Sequence, residues 1–227
     1  MRIPLTPYGR REIAAGSGLC VLLGALCLWL WPPLVVAPAA ALVFLLSFFR
    51  DPQRPCRAAD GELLSPADGT VADVAEVAAP VYLQGRALRV GVFMSVFNCH
   101  VNRAPAEGVV ELVEHHSGSF LDARDGRAIA ENEHGFLGIR CADGRRILVK
   151  QVAGLIARRI VCAVGPGDRL DLGRPFGMVK FGSRLELWVP VGDGPVARVK
   201  VGDRVKAGRD VLIACGSRAQ GADGGKG

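Results

Sequence analysis

Gly182-Ser183 lies inside a run, Met178 to Val189, that otherwise reads as a β-strand. Strand interiors avoid glycine, which packs no side chain, unless something must approach the backbone closely. Here the approaching group can be the hydroxyl of Ser183 itself. A serine Oγ can attack the carbonyl of the preceding residue, and Gly182 leaves that carbonyl sterically open. Most Gly-Ser steps are turns or bulges, so the pair gains meaning only from residues that could serve it.

Four histidines could do so: His100, His115, His116 and His134. His100 follows an apolar run, 89–97, within Asn98-Cys-His-Val-Asn-Arg-Ala-Pro105. A histidine leaving a strand end before Asn102, Arg103 and a proline stop is placed like a site residue, and equally like a surface turn. His115-His116 either supplies a proton donor, for which His116 is the candidate, or closes a strand; His134 reads as solvated. None has the spacing of a metal-binding helix pair, so no metal is expected. Asp68, in Ser65-Pro-Ala-Asp-Gly69, is first a turn former. It is also the carboxylate that could orient a histidine beside Ser183, in the logic of a nucleophile, its base and an orienting acid.

The elements that must position these residues are short strands. From Glu62 onward, stretches of Val, Leu and Ile alternate with Gly, Asp and Pro every few residues, which predicts a mostly β domain. Residues 64–71 read as a tight turn entering a strand, 89–97 as a buried strand, and 109–115, 147–152 and 156–164 as further strands. Residues 120–133 read as a loop or short-helix insert. Gly167-Asp-Arg-Leu-Asp-Leu-Gly-Arg174 recurs as Gly202-Asp-Arg-Val-Lys-Ala-Gly-Arg209. The duplicated turn–strand–turn predicts a barrel-sandwich fold of two interlocked β-hammerheads, with Ser183 on the connecting strand.

Residues 14–49 carry no charge and are split by Pro32-Pro33. As helices, Ala14–Trp31 and Leu34–Phe49 would be about 27 and about 24 Å long, slightly short of a bilayer core of about 30 Å. Proline must break the helix between them. Arg2, Arg10 and Arg11 precede the pair and Arg50, Arg54 and Arg57 follow it, which places both flanks in the cytoplasm and predicts a membrane-associated hairpin. A signal peptide with Ala37-Pro38-Ala39 as its cleavage-like site is the rival, disfavoured by the second apolar run. Half of the residues are hydrophobic and the net charge is +6; the pI is 9.2 and the mean hydropathy +0.27. A basic chain suits nucleic acid or an anionic membrane surface. Without aromatics interleaved among basic residues, the membrane is favoured and no nucleic-acid partner is expected. The seven cysteines, Cys20, Cys27, Cys56, Cys99, Cys141, Cys162 and Cys215, are odd in number and scattered. That argues for a reducing compartment rather than a disulfide framework.

Several motifs together resemble the phosphatidylserine decarboxylase proenzymes. They are the basic hairpin, Ser65-Pro-Ala-Asp-Gly69, Phe97-Asn-Cys-His-Val-Asn-Arg-Ala-Pro105, the 118–133 block with Asn132 and Glu133, and Lys180-Phe-Gly-Ser-Arg184. The match is to the short, archaeal-type single-hairpin form and covers residues 10–215. The resemblance implies self-cleavage between Gly182 and Ser183, giving a β-chain (1–182) and an α-chain (183–227) that stay associated. It implies a pyruvoyl cofactor derived from Ser183, a ketone no natural side chain offers, and decarboxylation of phosphatidylserine in the bilayer. His100 matches the histidine proposed to assist decarboxylation. Longer relatives carry a second histidine three positions on, where this chain has Arg103. Arg103 and Asn102 are therefore read as substrate-binding, and Asp68, His100 and His116 as the acid–base set around Gly182 and Ser183.

The expected organisation is a membrane-associated segment 1–57, a catalytic domain 58–217 and a tail 218–227, at the inner membrane with the catalytic domain cytoplasmic. A homo-oligomer is compatible with this. The alternatives are a membrane-anchored carrier or adaptor of the lipoyl or biotinyl type, with Met178-Val179-Lys180 as its modification hairpin, a pyruvoyl decarboxylase acting on a free amino acid, and a plain membrane-anchored structural domain.

Overall fold

The computed structural model describes residues 4–80, 82–121, 127–154, 159–180 and 183–216. Helix α1 (Arg10–Leu30) and helix α2 (Val36–Phe48) form an apolar hairpin around a 3-10 turn at Pro32–Val35. Its tip exposes Trp29, Leu30 and Trp31. The 21 residues of α1 rise about 32 Å, enough to cross a bilayer, and the 13 of α2 about 20 Å. The first helix therefore begins earlier than its apolar run, at Arg10, and the second is shorter than expected.

Among the described residues fourteen strands follow: β1 (Glu62–Leu64), β2 (Gly69–Ala78), β3 (Arg86–Met94), β4 (Val101–Arg103), β5 (Gly108–His116), β6 (His134–Cys141), β7 (Arg146–Val152), β8 (Ile160–Cys162), β9 (Arg169–Leu170), β10 (Pro175–Val179), β11 (Ser183–Pro190), β12 (Val196–Ala197), β13 (Arg204–Val205) and β14 (Val211–Ala214). One short helix, α3 (Ala128–Glu131), stands in the 120–133 insert. The large antiparallel sheet runs β13-β2-β3-β11-β7-β6-β5-β9, and two small sheets run β1-β14-β12 and β4-β10-β8. Val90, Val92, Ile139, Val149, Leu185 and Leu187 from the large sheet pack against Leu63, Phe176, Val179, Leu212 and Ile213 from the small ones.

The order of strands in these sheets divides the domain into two matching halves. An outer half, 62–94 with 183–216, supplies β13-β2-β3-β11 and β1-β14-β12; an inner half, 101–179, supplies β9-β5-β6-β7 and β4-β10-β8. The duplicated sequence motif sits at corresponding places. Gly167 N donates to Val110 O at 2.8 Å and Gly202 N to Val71 O at 2.9 Å, while Gly173 N donates to Ala104 O at 2.9 Å and Gly208 N to Ser65 O at 2.8 Å. All four glycines have positive φ, which a side chain would strain. The halves interlock where Leu64 N donates to Pro105 O and Arg103 N to Pro66 O.

One expectation needs correction. Residues 178–189 are not a single strand: β10 belongs to a small sheet and β11 to the large one. The chain passes from the inner half back to the outer half between them. Phe181 and Gly182 lie outside the described residues, as do residues 155–158 of the expected 156–164 strand, of which β8 is the described part.

Candidate active site

Both chemically suggestive residues stand where the chain changes halves. His100 precedes β4, on the way into the inner half, and Ser183 opens β11, on the way out. Alternation along β11 turns Ser183 to the same face as Leu185, Leu187 and Val189, into the core. Ser183 is fully buried opposite Met94 of β3. Among the described residues its Oγ has no hydrogen-bond partner. Asn102 Nδ2 faces the sulfur of the same Met94 at 3.9 Å, and its Oδ1 accepts from Gln151 Nε2 at 2.8 Å.

His100 is fully buried and lies against the ring of Phe48 at the end of α2, with centroids 4.3 Å apart. The turn before it is fixed by Ser95, whose N–H and Oγ both donate to Asn98 Oδ1. His100 Nδ1 meets Asn98 O at 3.0 Å. A carbonyl only accepts, so Nδ1 carries the proton and Nε2 holds a lone pair. Nε2 is the other orphan: of three buried side-chain atoms without a partner among the described residues, two are Ser183 Oγ and His100 Nε2. Burial, opposed by the Asn98 carbonyl and helped by the nearby Arg50 charge, pushes the His100 pKa down to about 4. The imidazole is thus neutral at physiological pH, and a buried acceptor without a partner carries a desolvation cost.

The other expected residues are placed differently. Asp68 is gripped by Arg54, at 2.5 Å from Nη1 to Oδ1 and 2.8 Å from Nη2 to Oδ2, and accepts Ala207 N at 2.8 Å. Its hydrogen bonds go to an arginine and the backbone; it acts on His100 through charge alone. Arg103 is buried, with its guanidinium committed to Asp51, the Gly173 carbonyl and the Pro52 carbonyl, so it presents no free fork to a substrate. His116 is half-exposed beside Glu114 and stacked on His134. The register His116↔His134↔Val152↔Arg184 sets it three strands from β11, roughly 14 Å at strand spacing. Asn132 is buried and structural: it bonds both backbone groups of Leu121 and the Ala153 carbonyl, each at 2.8 Å. Glu133 reaches His115 at 3.5 Å.

The hairpin closes over this end of the domain. Phe48, Phe49 and Met178 form a buried cluster with Tyr8, Ile13 and Leu45. Lys180, three residues before Ser183, is 4% exposed and donates to Glu12 of α1 at 2.5 Å. A carrier lysine needs an exposed tip, and Lys180 is held in the opposite setting.

Comparison with known proteins decides the family. A phosphatidylserine decarboxylase family model matches residues 42–213. The chain is 46% identical over 206 residues to the phosphatidylserine decarboxylase proenzyme of Symbiobacterium thermophilum, covering 91% of this chain and 95% of that one. It is 42% identical over 212 residues to the proenzyme of Ruegeria pomeroyi, covering 92% and 94%. The proenzyme of Cereibacter sphaeroides is 42% identical over 212 residues, covering 92% and 89%. The chain belongs to the phosphatidylserine decarboxylase family.

Within this decarboxylase, three supporting residues escaped sequence reasoning. Arg54 looked like one flank charge among several, yet it is the partner of Asp68. Gln151 sits in an apolar strand run and orients Asn102; a lone amide at a core position was its only signal. Arg184, on the reverse face of β11, passes over Gly91 to Asp73 on β2 and bonds Glu186 at 2.8 Å. A Cβ at Gly91 would occupy the guanidinium's place. The residue next to Ser183 is thus locked to the sheet by a buried, paired charge.

Proposed function

We propose that this chain is a self-processing proenzyme whose mature form decarboxylates phosphatidylserine to phosphatidylethanolamine and CO2, using a pyruvoyl group made from Ser183. The observation that carries this reading is that, among the described residues, Ser183 Oγ and His100 Nε2 are both buried and unpartnered, with His100 against Phe48 at the end of the apolar hairpin. Membership of the family supports the reaction, and the neutral imidazole supports the role of base.

In maturation, Ser183 Oγ loses its proton to a base, for which His100 Nε2 is suited, and attacks the Gly182 carbonyl. The peptide bond becomes an ester as the amide nitrogen takes up a proton. Elimination across Cα–Cβ of residue 183 breaks the ester and frees the β-chain with a carboxylate at Gly182. Water then adds to the dehydroalanine and ammonia leaves, so that residue 183 ends as a pyruvoyl group. The change removes the nitrogen and adds no heavy atom beyond the new ketone oxygen, so the packed site accommodates it. When formed, that ketone supplies the electron sink that decarboxylation requires.

The chain's own residues do the rest. Asn102, held by Gln151, offers an amide donor toward Met94, the residue opposite Ser183. Arg184 fixes the new amino-terminal strand. In maturation His100 Nε2 would take the Ser183 hydroxyl proton and pass it to the amide nitrogen; in turnover it would hold a second proton, the one destined for the carbon that loses CO2. Asp68 and Arg103 act as positioning residues through Arg54 and Asp51, which follow α2. His116, from its distance, has no part in the first contacts. The hairpin supplies the route: a lipid substrate diffuses in the bilayer plane to a site at the hairpin's base. Arginines on both flanks support an inner-membrane protein with residues 58–217 in the cytoplasm.

Intact mass spectrometry of the purified chain is the test. Two masses are expected, 1–182 and 183–227, the second lighter by the change from serine to pyruvoyl. Ser183→Ala should remain one piece and release no CO2 from phosphatidylserine. A Ser183→Ala protein that still decarboxylates would overturn the reading.

A further inference from the structure

A second polar feature lies at the same end of the molecule and the reaction does not use it. Where α1 begins, a cleft of about 390 Å³ is lined by Tyr8, Arg10, Arg11, Glu12, Arg159 and Lys180. Four cations face one carboxylate. Glu12 is taken by Lys180 at 2.5 Å, and Arg159 approaches it only to 4.0 Å. Among the described residues Arg10 and Arg11 have no carboxylate partner. Flank arginines alone would follow from membrane orientation, but Arg159 comes from beside β8, some 150 positions along the chain. The fold has therefore brought an additional exposed cation to the membrane entry point.

The height of the cleft in the bilayer identifies its ligand. The uncharged run begins right after Glu12, at Ile13, so Arg10 and Arg11 lie at the level of lipid headgroups. We infer that this cleft binds the phosphodiester of an anionic glycerophospholipid, and that Arg10, Arg11 and Arg159 select net-negative headgroups over zwitterionic ones. Resting on the proposed reaction, this has a further consequence. Phosphatidylserine carries a net negative charge and phosphatidylethanolamine carries none, so the cleft favours substrate over product beside residue 183.

The test uses the full-length protein in detergent and phosphatidylglycerol as an anionic lipid that cannot react. Bound lipid is counted by native mass spectrometry against phosphatidylcholine and phosphatidylethanolamine. The wild type should prefer phosphatidylglycerol by about tenfold, as expected for charge-assisted phosphate contacts. Arg11→Gln combined with Arg159→Gln should lose that preference and still mature to two chains. Arg140→Gln with Arg146→Gln, the same charge change at a site paired to Glu111, should keep it. No preference in the wild type, or equal loss in both double variants, overturns the inference. Kinetics in neutral bilayers identify the occupant. A raised KM with unchanged kcat in the Arg11/Arg159 variant places the substrate itself in the cleft; an unchanged KM with lost preference assigns it to a separate anionic lipid. Because lipid counting needs no turnover, failed maturation would count against the proposed function and leave the cleft standing.

Discussion

Residues 65–71 and 104–110 are the same turn built twice. Ser-Pro-Ala-Asp-Gly-Thr-Val and Ala-Pro-Ala-Glu-Gly-Val-Val each take a hydrogen bond from a positive-φ glycine, Gly208 or Gly173, and each feed a strand of the large sheet. Their carboxylates fare differently. Asp68 is buried and gripped by Arg54, whereas Glu107 is exposed. The turn therefore does not require a buried acid. Asp68 is buried for what it holds: the segment that follows α2. Arg54 grips the outer half through Asp68, and Asp51 grips the inner half through Arg103. The stretch after the hairpin is thus clamped to both halves, next to the crossing at 95–100, where Arg50 bonds the Phe97 carbonyl.

Breaking the clamp on one side should separate the two turns most strongly. In the uncleaved Ser183→Ala background, Asp68→Ala strands the buried Arg54 charge and should cost about 3 kcal/mol, read by thermal or denaturant unfolding in detergent. In the wild-type background it should also slow the appearance of the two chains. An Asp68→Ala loss no larger than that of Glu107→Ala would remove the distinction.

The two crossings can be compared by pH. The folded pKa of His100, about 4, lies below its unfolded value of about 6.5. The unfolded chain therefore binds the proton first as pH falls. Stability is full above pH 6.5 and declines between about 6.5 and 4, by roughly 3 kcal/mol in total. His100→Gln should flatten that slope. Self-cleavage of freshly synthesised precursor should hold its rate down to about pH 5, since Nε2 remains free; a rate that halves near pH 6.5 would show that His100 titrates as an ordinary surface histidine.

The glycine pair sharpens the comparison further. Gly173→Ala and Gly208→Ala each force a left-handed residue and should cost about 1–2 kcal/mol. Gly173 should cost more, because its Cβ would run into Cys56, whereas at Gly208 the same sulfur would be 2.9 Å away. Cys56→Ala should relieve the difference. Glu107→Gln should change stability by less than about 0.5 kcal/mol.

The duplication was legible in part. Gly167–Arg174 and Gly202–Arg209 share enough identities to be seen, and they predicted interlocked hammerheads. The second repeat, 65–71 with 104–110, shares Pro, Ala and Gly but swaps Asp for Glu, and emerges only when the hydrogen bonds are aligned. Ser183 and His100 were visible because a glycine inside a strand and a histidine after one are local signals. The supports were not. Arg54, Gln151 and Asp73 act over separations of 14, 49 and 111 residues, and nothing in a single sequence reports such pairings. The Arg103 pairing was hidden for the same reason: the sequence sets the arginine near a histidine, and only the fold brings Asp51 against its guanidinium.

The nesting of one half inside the other has a kinetic meaning. Three of the four strands from residue 183 onward pair with strands that precede it, β11 with β3 and β7, β13 with β2 and β14 with β1, while β12 pairs with β14 of the same segment. Before the proposed cut, folding is a unimolecular event. After it, the native state is a complex of two polypeptides and its recovery is second order. Its melting point then depends on protein concentration, and fragments that drift apart are diluted beyond reassembly. The enzyme would consume its own refolding pathway in making its cofactor, so each molecule's working life would be set by one unfolding rate.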